Sequence, residues 1–278
     1  MVLLSVQLKE DTKDLHTQGL RSKFMRQFFK GEISPTTYGR FLISLYHIYS
    51  NLERALDHYK DHLQLSLLYF PKELARTARL ERDLEFYNGP DWREMLTPIS
   101  PAQQAYIDAI QRCANSPTPE LLAAHAYIRY LGDLSGGQIL AKRLQKFNDI
   151  PEGQGVAFYQ FDAIEDTDAF KDVFRKRLNM MEISDELQQQ IVDEVKETYH
   201  KTFAIFSEFD GDVNGPTMTE QEQAEQMMAM RKDMAKAVAE EHARKQALKS
   251  PGQNMPDSWP SWQLTTLWHS LTRTVGLS

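Results

Sequence analysis

The segment Tyr130-Leu131-Gly132-Asp133-Leu134-Ser135-Gly136-Gly137-Gln138 is the most unusual in the chain, with three of the thirteen glycines inside six residues. Apolar residues recur every three or four positions on both sides of it, from Leu121 to Tyr130 and from Ile139 to Phe147, so the glycines interrupt helical sequence. Each glycine inside a helix costs about 1 kcal/mol relative to alanine. Gly132 and Gly136 are four apart, which puts them on one bare face. Two readings stay open on spacing alone. Either another helix packs against the glycines or the helix ends there, or a planar ligand lies against exposed backbone. The segment is not a phosphate loop, because the Gly-Lys-Ser/Thr ending is missing and no strand precedes it. Asp133 is then either a solvated surface acid or an acid that orders water near a ligand. A carboxylate in a packed helix needs hydrogen bonds or water.

A second cluster is Lys9, Lys13 and His16, spaced four then three, as on one helical face. No carboxylate or second histidine shares that face, which argues against zinc. The arrangement suits a metal carried in an anionic planar cofactor, with imidazole on the metal and lysines at carboxylates on the rim. It equally suits an ordinary solvated face. His58 and His62 stand beside Asp57 and Asp61 and read as a solvated helix face. Cys113 has no base near it in the chain and reads as a buried structural thiol.

These groups must be held by helices. Phe41, Leu45, Ile48, Leu52, Leu56 and Tyr59 form one stripe, and the same period runs through residues 121–147 and 183–209. Alternating β-branched runs and hairpin signals are missing. The expectation is an all-α core of seven or eight helices. Ser34-Pro35, Pro119-Glu120 and Ser184 mark helix starts.

The chain has 278 residues and a formal charge of −7, with 41 % hydrophobic and 26 % charged residues, a globular balance. Net acidity argues against a general nucleic-acid binder. One cysteine cannot form an internal disulfide, which fits a reducing compartment and excludes a zinc or iron–sulfur site built on cysteines. Charged residues follow Val6 at once, so no signal peptide is expected, and no stretch suits a membrane span. Residues 216–278 carry seven acidic and seven basic groups, so the whole net charge lies in 1–215. The organisation expected is a helical domain over 1–215, a polar helical linker over 216–255 and a Trp-rich tail over 256–278. The tail holds Trp259, Trp262 and Trp268. It suits a helix lying on a membrane surface, or one docked on the core or left disordered.

Several stretches together resemble the eukaryotic heme oxygenases, the vertebrate inducible type in particular. They are Lys9–Gln18 with Leu15-His16-Thr17-Gln18, Ser44–Tyr49, Glu120–Tyr127, and above all Arg129–Gln138. Tyr69-Phe70-Pro71 and the run from Phe170 to Met181 also fit, and the likeness spans roughly residues 8–210. It implies an all-α fold with heme, both substrate and cofactor, sandwiched between a proximal and a distal helix. His16 matches the proximal ligand of the heme iron. Gly132 and Gly136 match the distal glycines, and Asp133 the acid that holds a water network. Tyr49 and Arg129 match further members of that network. Lys9, Tyr127, Lys171 and Arg175 match groups that meet the heme propionates.

The implied reaction opens heme to biliverdin, carbon monoxide and ferrous iron. It uses O2 and electrons from an NADPH-dependent flavoprotein reductase, with biliverdin reductase downstream. The implied place is the cytosol or the cytosolic face of the endoplasmic reticulum. Three departures stand out. Thr198–Phe203 lacks the family's asparagine, Leu20 is less polar than the pattern, and the tail carries His269 and Arg273 where an apolar anchor belongs. Two other functions compete with this reading. A non-catalytic heme carrier would not need Asp133. The thiamine-degrading enzymes that share this architecture use a cysteine nucleophile, for which Cys113 lacks the context.

Overall fold

The computed structural model describes residues 2–147, 150–151 and 153–213, together with six separate positions between 225 and 243. The chain divides into two units, Met1–Met228 and Ala229–Ser278, and the first carries every element named below. The expected tail over 256–278 lies outside the described residues. Of the expected linker, the six described positions are helical and exposed.

The described residues are all-α, without strands. The helices are α1 (Leu4–Asp11), α2 (Lys13–Arg21), α3 (Lys23–Lys30), α4 (Pro35–His58), α5 (Pro71–Leu74) and α6 (Thr77–Asn88). They continue as α7 (Pro101–Ala114), α8 (Leu122–Gly132), α9 (Gln138–Phe147), α10 (Thr167–Asn179) and α11 (Asp185–Ser207). Among the described residues there are eleven α-helices, counting the single turn α5, against the seven or eight expected for the core, and the N-terminal pattern is cut at single residues. Thr12 breaks α1 from α2, its hydroxyl donating to the Leu8 carbonyl at 2.6 Å. Lys9 therefore stands on a different helix from Lys13 and His16, and the single face expected for the three is interrupted. Ser22 breaks α2 from α3 and caps the latter by accepting from Met25 N at 3.3 Å.

The proline-marked starts form as expected. Ser34 caps α4 and Ser184 caps α11. Pro119 opens a short 3₁₀ turn that leads into α8. The stripe Phe41, Leu45, Ile48, Leu52 and Leu56 is buried along α4. That helix stops at His58, so His62 lies outside it and accepts from Gln64 N at 3.3 Å instead of sharing a face with His58.

The core is built by α4 against α6 and α7, and by α11 against α7 and α8. Phe24 ties α3 to the other two, with ring centroids 4.9 Å from Phe41 and 5.6 Å from Phe206. Between α8 and α9 the chain does not stop. Asp133–Gly137 forms one π-helical turn, a local widening that bends the helix at the glycine-rich segment.

Candidate functional site

The π-turn is held from below. Gln138 Nε2 donates to the Tyr159 carbonyl at 2.8 Å. Asp83 accepts from Ala157 N at 2.9 Å and Phe158 N at 2.7 Å, fixing the loop that carries Tyr159. Buried Arg76 gathers the same loop, donating to the carbonyls of Phe158 at 3.1 Å and Gln160 at 2.6 Å. The three glycines then differ in what surrounds them. A Cβ on Gly137 would meet the Tyr159 ring at 2.8 Å, so this glycine allows close packing inside the protein. A Cβ on Gly132 or Gly136 would stand in open space. The two glycines four apart thus present bare backbone outward, as the ligand reading requires.

Asp133 sits beside them, partly open to the outside. The Tyr49 hydroxyl, buried in α4, donates to Asp133 Oδ2 in a short hydrogen bond. Burial pushes the Asp133 carboxyl up to about 7, against the pull of the Tyr49 hydrogen bond and the charges of Arg129 and Arg76. Arg129, one turn earlier on α8, donates from Nη2 to Thr202 Oγ1 at 2.7 Å, and its Nε is buried without a protein partner. A carboxyl poised near neutrality beside an unsatisfied buried donor is an arrangement that holds water and passes protons.

The remaining expected residues form a second group. Lys171 on α10 reaches the π-turn, with Nζ 3.4 Å from Ser135 Oγ and 2.6 Å from Asp168 Oδ1. Arg175, one turn on, pairs with Asp172 at 2.9 Å, and its charge is felt at the Tyr127 hydroxyl. Burial raises that hydroxyl's pKa. Lys9 lies exposed on α1, which packs on α10 where Ser5 N donates to Asn179 Oδ1 at 2.9 Å. His16 is exposed on α2, which packs on α11. A Cβ on Gly19 would meet the Phe203 ring at 3.0 Å, so the two helices approach closely one turn from His16. The Tyr199 hydroxyl lies near enough to Thr12 to feel it, and its pKa, raised to about 12 by burial, also feels Tyr127 and Arg129. The helix carrying His16 and the helix carrying Arg129 therefore meet through α11.

Sequence reasoning did not single out Thr202, Arg76 or Tyr159. Thr198 and Thr202 occupy the stretch that lacks the family's asparagine, and Thr202 provides the contact to Arg129 there.

The family model for heme oxygenase matches residues 2–208. Heme oxygenase 1 of Homo sapiens is 42 % identical over 206 residues, which are 74 % of this chain and 71 % of that protein. Heme oxygenase 1 of Synechocystis is also 42 % identical, over 76 % of this chain and 87 % of that protein. Among solved structures, the heme oxygenase from Leptospira interrogans superposes with a TM-score of 0.71 at 39 % identity, covering 74 % of this chain and all of that one. Heme oxygenase-1 from Synechocystis, solved in complex with heme, gives a TM-score of 0.72 at 41 % identity, over 76 % of this chain and 94 % of that one. An all-α, heme-degrading oxidoreductase is the class of protein defined. The chain belongs to the heme oxygenase family, and heme is its substrate and cofactor. Identity is equal toward the vertebrate and the cyanobacterial protein, so the likeness is to the family rather than to its vertebrate branch alone.

Proposed function

We propose that the π-turn at Gly132–Gly136 is the distal wall of the heme site, and that His16 is the iron ligand from the opposite side. The carrying observation is the open space at Gly132 and Gly136 beside the Tyr49–Asp133 hydrogen bond. A flat group can lie on backbone only where no Cβ intervenes, which fits heme. Heme, when bound, supplies the iron at which O2 is activated and the ring that is opened. Asp133 holds water on the distal side and moves a proton through it. Tyr49 orients that carboxyl, and Arg129 adds a buried donor and positive charge. Backbone at Gly132 and Gly136, with no Cβ between, would lie close against the ring and limit the space on that side. Lys9, Tyr127, Lys171 and Arg175 meet the propionates and set the ring's rotation: the three cations oppose a dianionic rim, and the neutral Tyr127 hydroxyl donates a hydrogen bond to it.

The products are biliverdin, carbon monoxide and ferrous iron, with electrons delivered by an NADPH-dependent flavoprotein reductase and biliverdin passed to a biliverdin reductase. We place the activity in residues 1–215, in the cytosol or on the cytosolic face of the endoplasmic reticulum. Residues 216–255 act as a linker, and 256–278 bring the Trp-rich segment to a membrane surface. Among the described residues no helix is long and apolar enough to cross a membrane.

The test is spectroscopic. Hemin is added to the purified protein, then NADPH and reductase under oxygen. The Soret band is expected to decay into biliverdin absorption. In His16→Ala the axial ligation weakens and oxidation stops at neutral pH. Asp133→Ala is expected to keep a Soret band but lose biliverdin formation by on the order of 10²-fold or more. Normal biliverdin output from Asp133→Ala would remove the water-holding role.

A further inference from the structure

Behind the distal network, three helices converge on a cluster that heme degradation does not use. Cys113 from the end of α7, His125 from α8 and Glu194 from α11 are all buried. His125 Nε2 lies 3.7 Å from Cys113 Sγ and 3.2 Å from Glu194 Oε1. One donor atom from each residue falls within 4.8 Å of the other two. Sequence alone gave Cys113 no neighbouring base, because His125 is twelve residues away and only the packing of α7 on α8 brings it near.

We propose that Cys113, His125 and Glu194 form a three-donor site for a borderline-soft divalent ion of the zinc class. Metal–donor lengths of about 2.0–2.3 Å in a tetrahedron place the donors roughly 3.3–3.8 Å apart. The two separations at His125 Nε2 already lie at or near that spacing. A thiolate, an imidazole and a carboxylate together are a donor set this ion class prefers over magnesium or calcium. The imidazole is also oriented as a ligand should be. Its other nitrogen, Nδ1, is 3.4 Å from the Thr198 hydroxyl, leaving Nε2 aimed at the cluster. Arg112 Nη2 bridges both Glu194 oxygens, 2.9 Å from Oε1 and 2.7 Å from Oε2, so an ion on Oε1 would replace the first contact and leave the second. The thiol gives up its proton to solvent as the metal–sulfur bond forms, with no change in oxidation state.

Of the three residues, Glu194 borders a cleft. Arg112 and Glu194 line a cleft of about 790 Å³ between α7 and α11. Asp108, Asp193 and Glu197 line it as well, so four carboxylates face the two cations Arg112 and Lys201. That balance draws divalent cations toward Glu194.

The deciding measurement uses Co²⁺ as a spectroscopic probe on the full chain, kept reduced and without added heme. The chain has a single cysteine, so any thiolate-to-cobalt charge-transfer absorption comes from Cys113. The expected result is a near-ultraviolet band that saturates at one equivalent and is bleached by Zn²⁺. Cys113→Ala is expected to abolish the band. Thr198→Val, which keeps all three ligands, is expected to weaken Co²⁺ binding by about 10–100-fold. Wild-type protein that takes up Co²⁺ with no thiolate band overturns the proposal and leaves the cluster a closed ion-pair network. So does a band that persists in Cys113→Ala.

Discussion

Asp133 and Glu194 are two carboxylates in the same helical core, and they are driven in opposite directions. Asp133 is pushed up to about 7 and Glu194 is held at about 2. Burial raises both. The difference lies in the partners. Glu194 takes hydrogen bonds from His125 at 3.2 Å and from Arg112 at 2.7 and 2.9 Å, so charge-assisted contacts outweigh the burial. Asp133 takes a side-chain hydrogen bond from neutral Tyr49, while Arg129 and Arg76 act on it only through space. Arg129 spends its Nη2 on Thr202, and Arg76 spends its donors on backbone carbonyls. A cation that is nearby but committed elsewhere leaves the acid able to hold its proton at neutral pH. A cation in direct contact fixes it as a charge. The first arrangement suits the proton transfer proposed for Asp133, and the second suits a fixed structural charge.

The largest effect on stability is expected at the fixed charge. Glu194→Gln removes the ionic contact to Arg112 and leaves His125 with a weaker acceptor, at a cost on the order of 2 kcal/mol in denaturant unfolding at pH 7. The sign with pH follows from the lowered value. Glu194 contributes stability above its ordinary value of 4.5, and that contribution is lost as pH falls toward 2. The gap between wild type and Glu194→Gln is expected to close over that window.

Asp133→Asn is expected to show the reverse dependence and a smaller amplitude. A carboxyl raised from 3.8 to about 7 contributes stability below its ordinary value, and loses it as pH rises through 7. The asparagine variant has no such loss. It should match wild type near pH 4 and exceed it at pH 8, by on the order of 1 kcal/mol because the group is partly open to solvent. Equal stability of the two proteins across that range would mean Asp133 is not held protonated by its surroundings.

The subtlest expectation concerns Tyr49. Its hydrogen bond lowers the Asp133 pKa, so Tyr49→Phe should move the Asp133 midpoint further up, read by carboxyl infrared difference spectroscopy. A midpoint that stays or falls would show that the Arg129 and Arg76 charges, rather than the hydroxyl, counter the burial. At the glycines, Gly136→Ala should leave the heme-free fold intact, whereas Gly137→Ala should lower Tm, since only the latter Cβ strikes Tyr159.

Much of this was legible from residue types. The stripe from Phe41 to Leu56 specified a buried helix, and Ser34 before proline and Ser184 before acidic residues specified helix starts. Three glycines around one aspartate in helical sequence marked the place where backbone is bared. Periodicity could not distinguish the roles of those glycines. Gly137 faces Tyr159 and Gly132 faces open space only because the loop tied to Asp83 and Arg76 passes beneath one and not the other. Spacing alone also joined Lys9 to His16 on one face, which the break at Thr12 interrupts.

Local physics reads from sequence because helical period, capping and glycine cost act over a few residues. That much determined an all-α chain with glycines and an acid interrupting one helix, and a histidine far upstream with lysines near it. The ionisation of each carboxylate was decided elsewhere. It depends on which cation touches which acid, and Arg112–Glu194 and Arg129–Thr202 are contacts 82 and 73 residues apart that exist only once α7, α8 and α11 pack. Burial and pairing are properties of that packing, so one carboxyl is pushed toward neutrality and another is held as a charge.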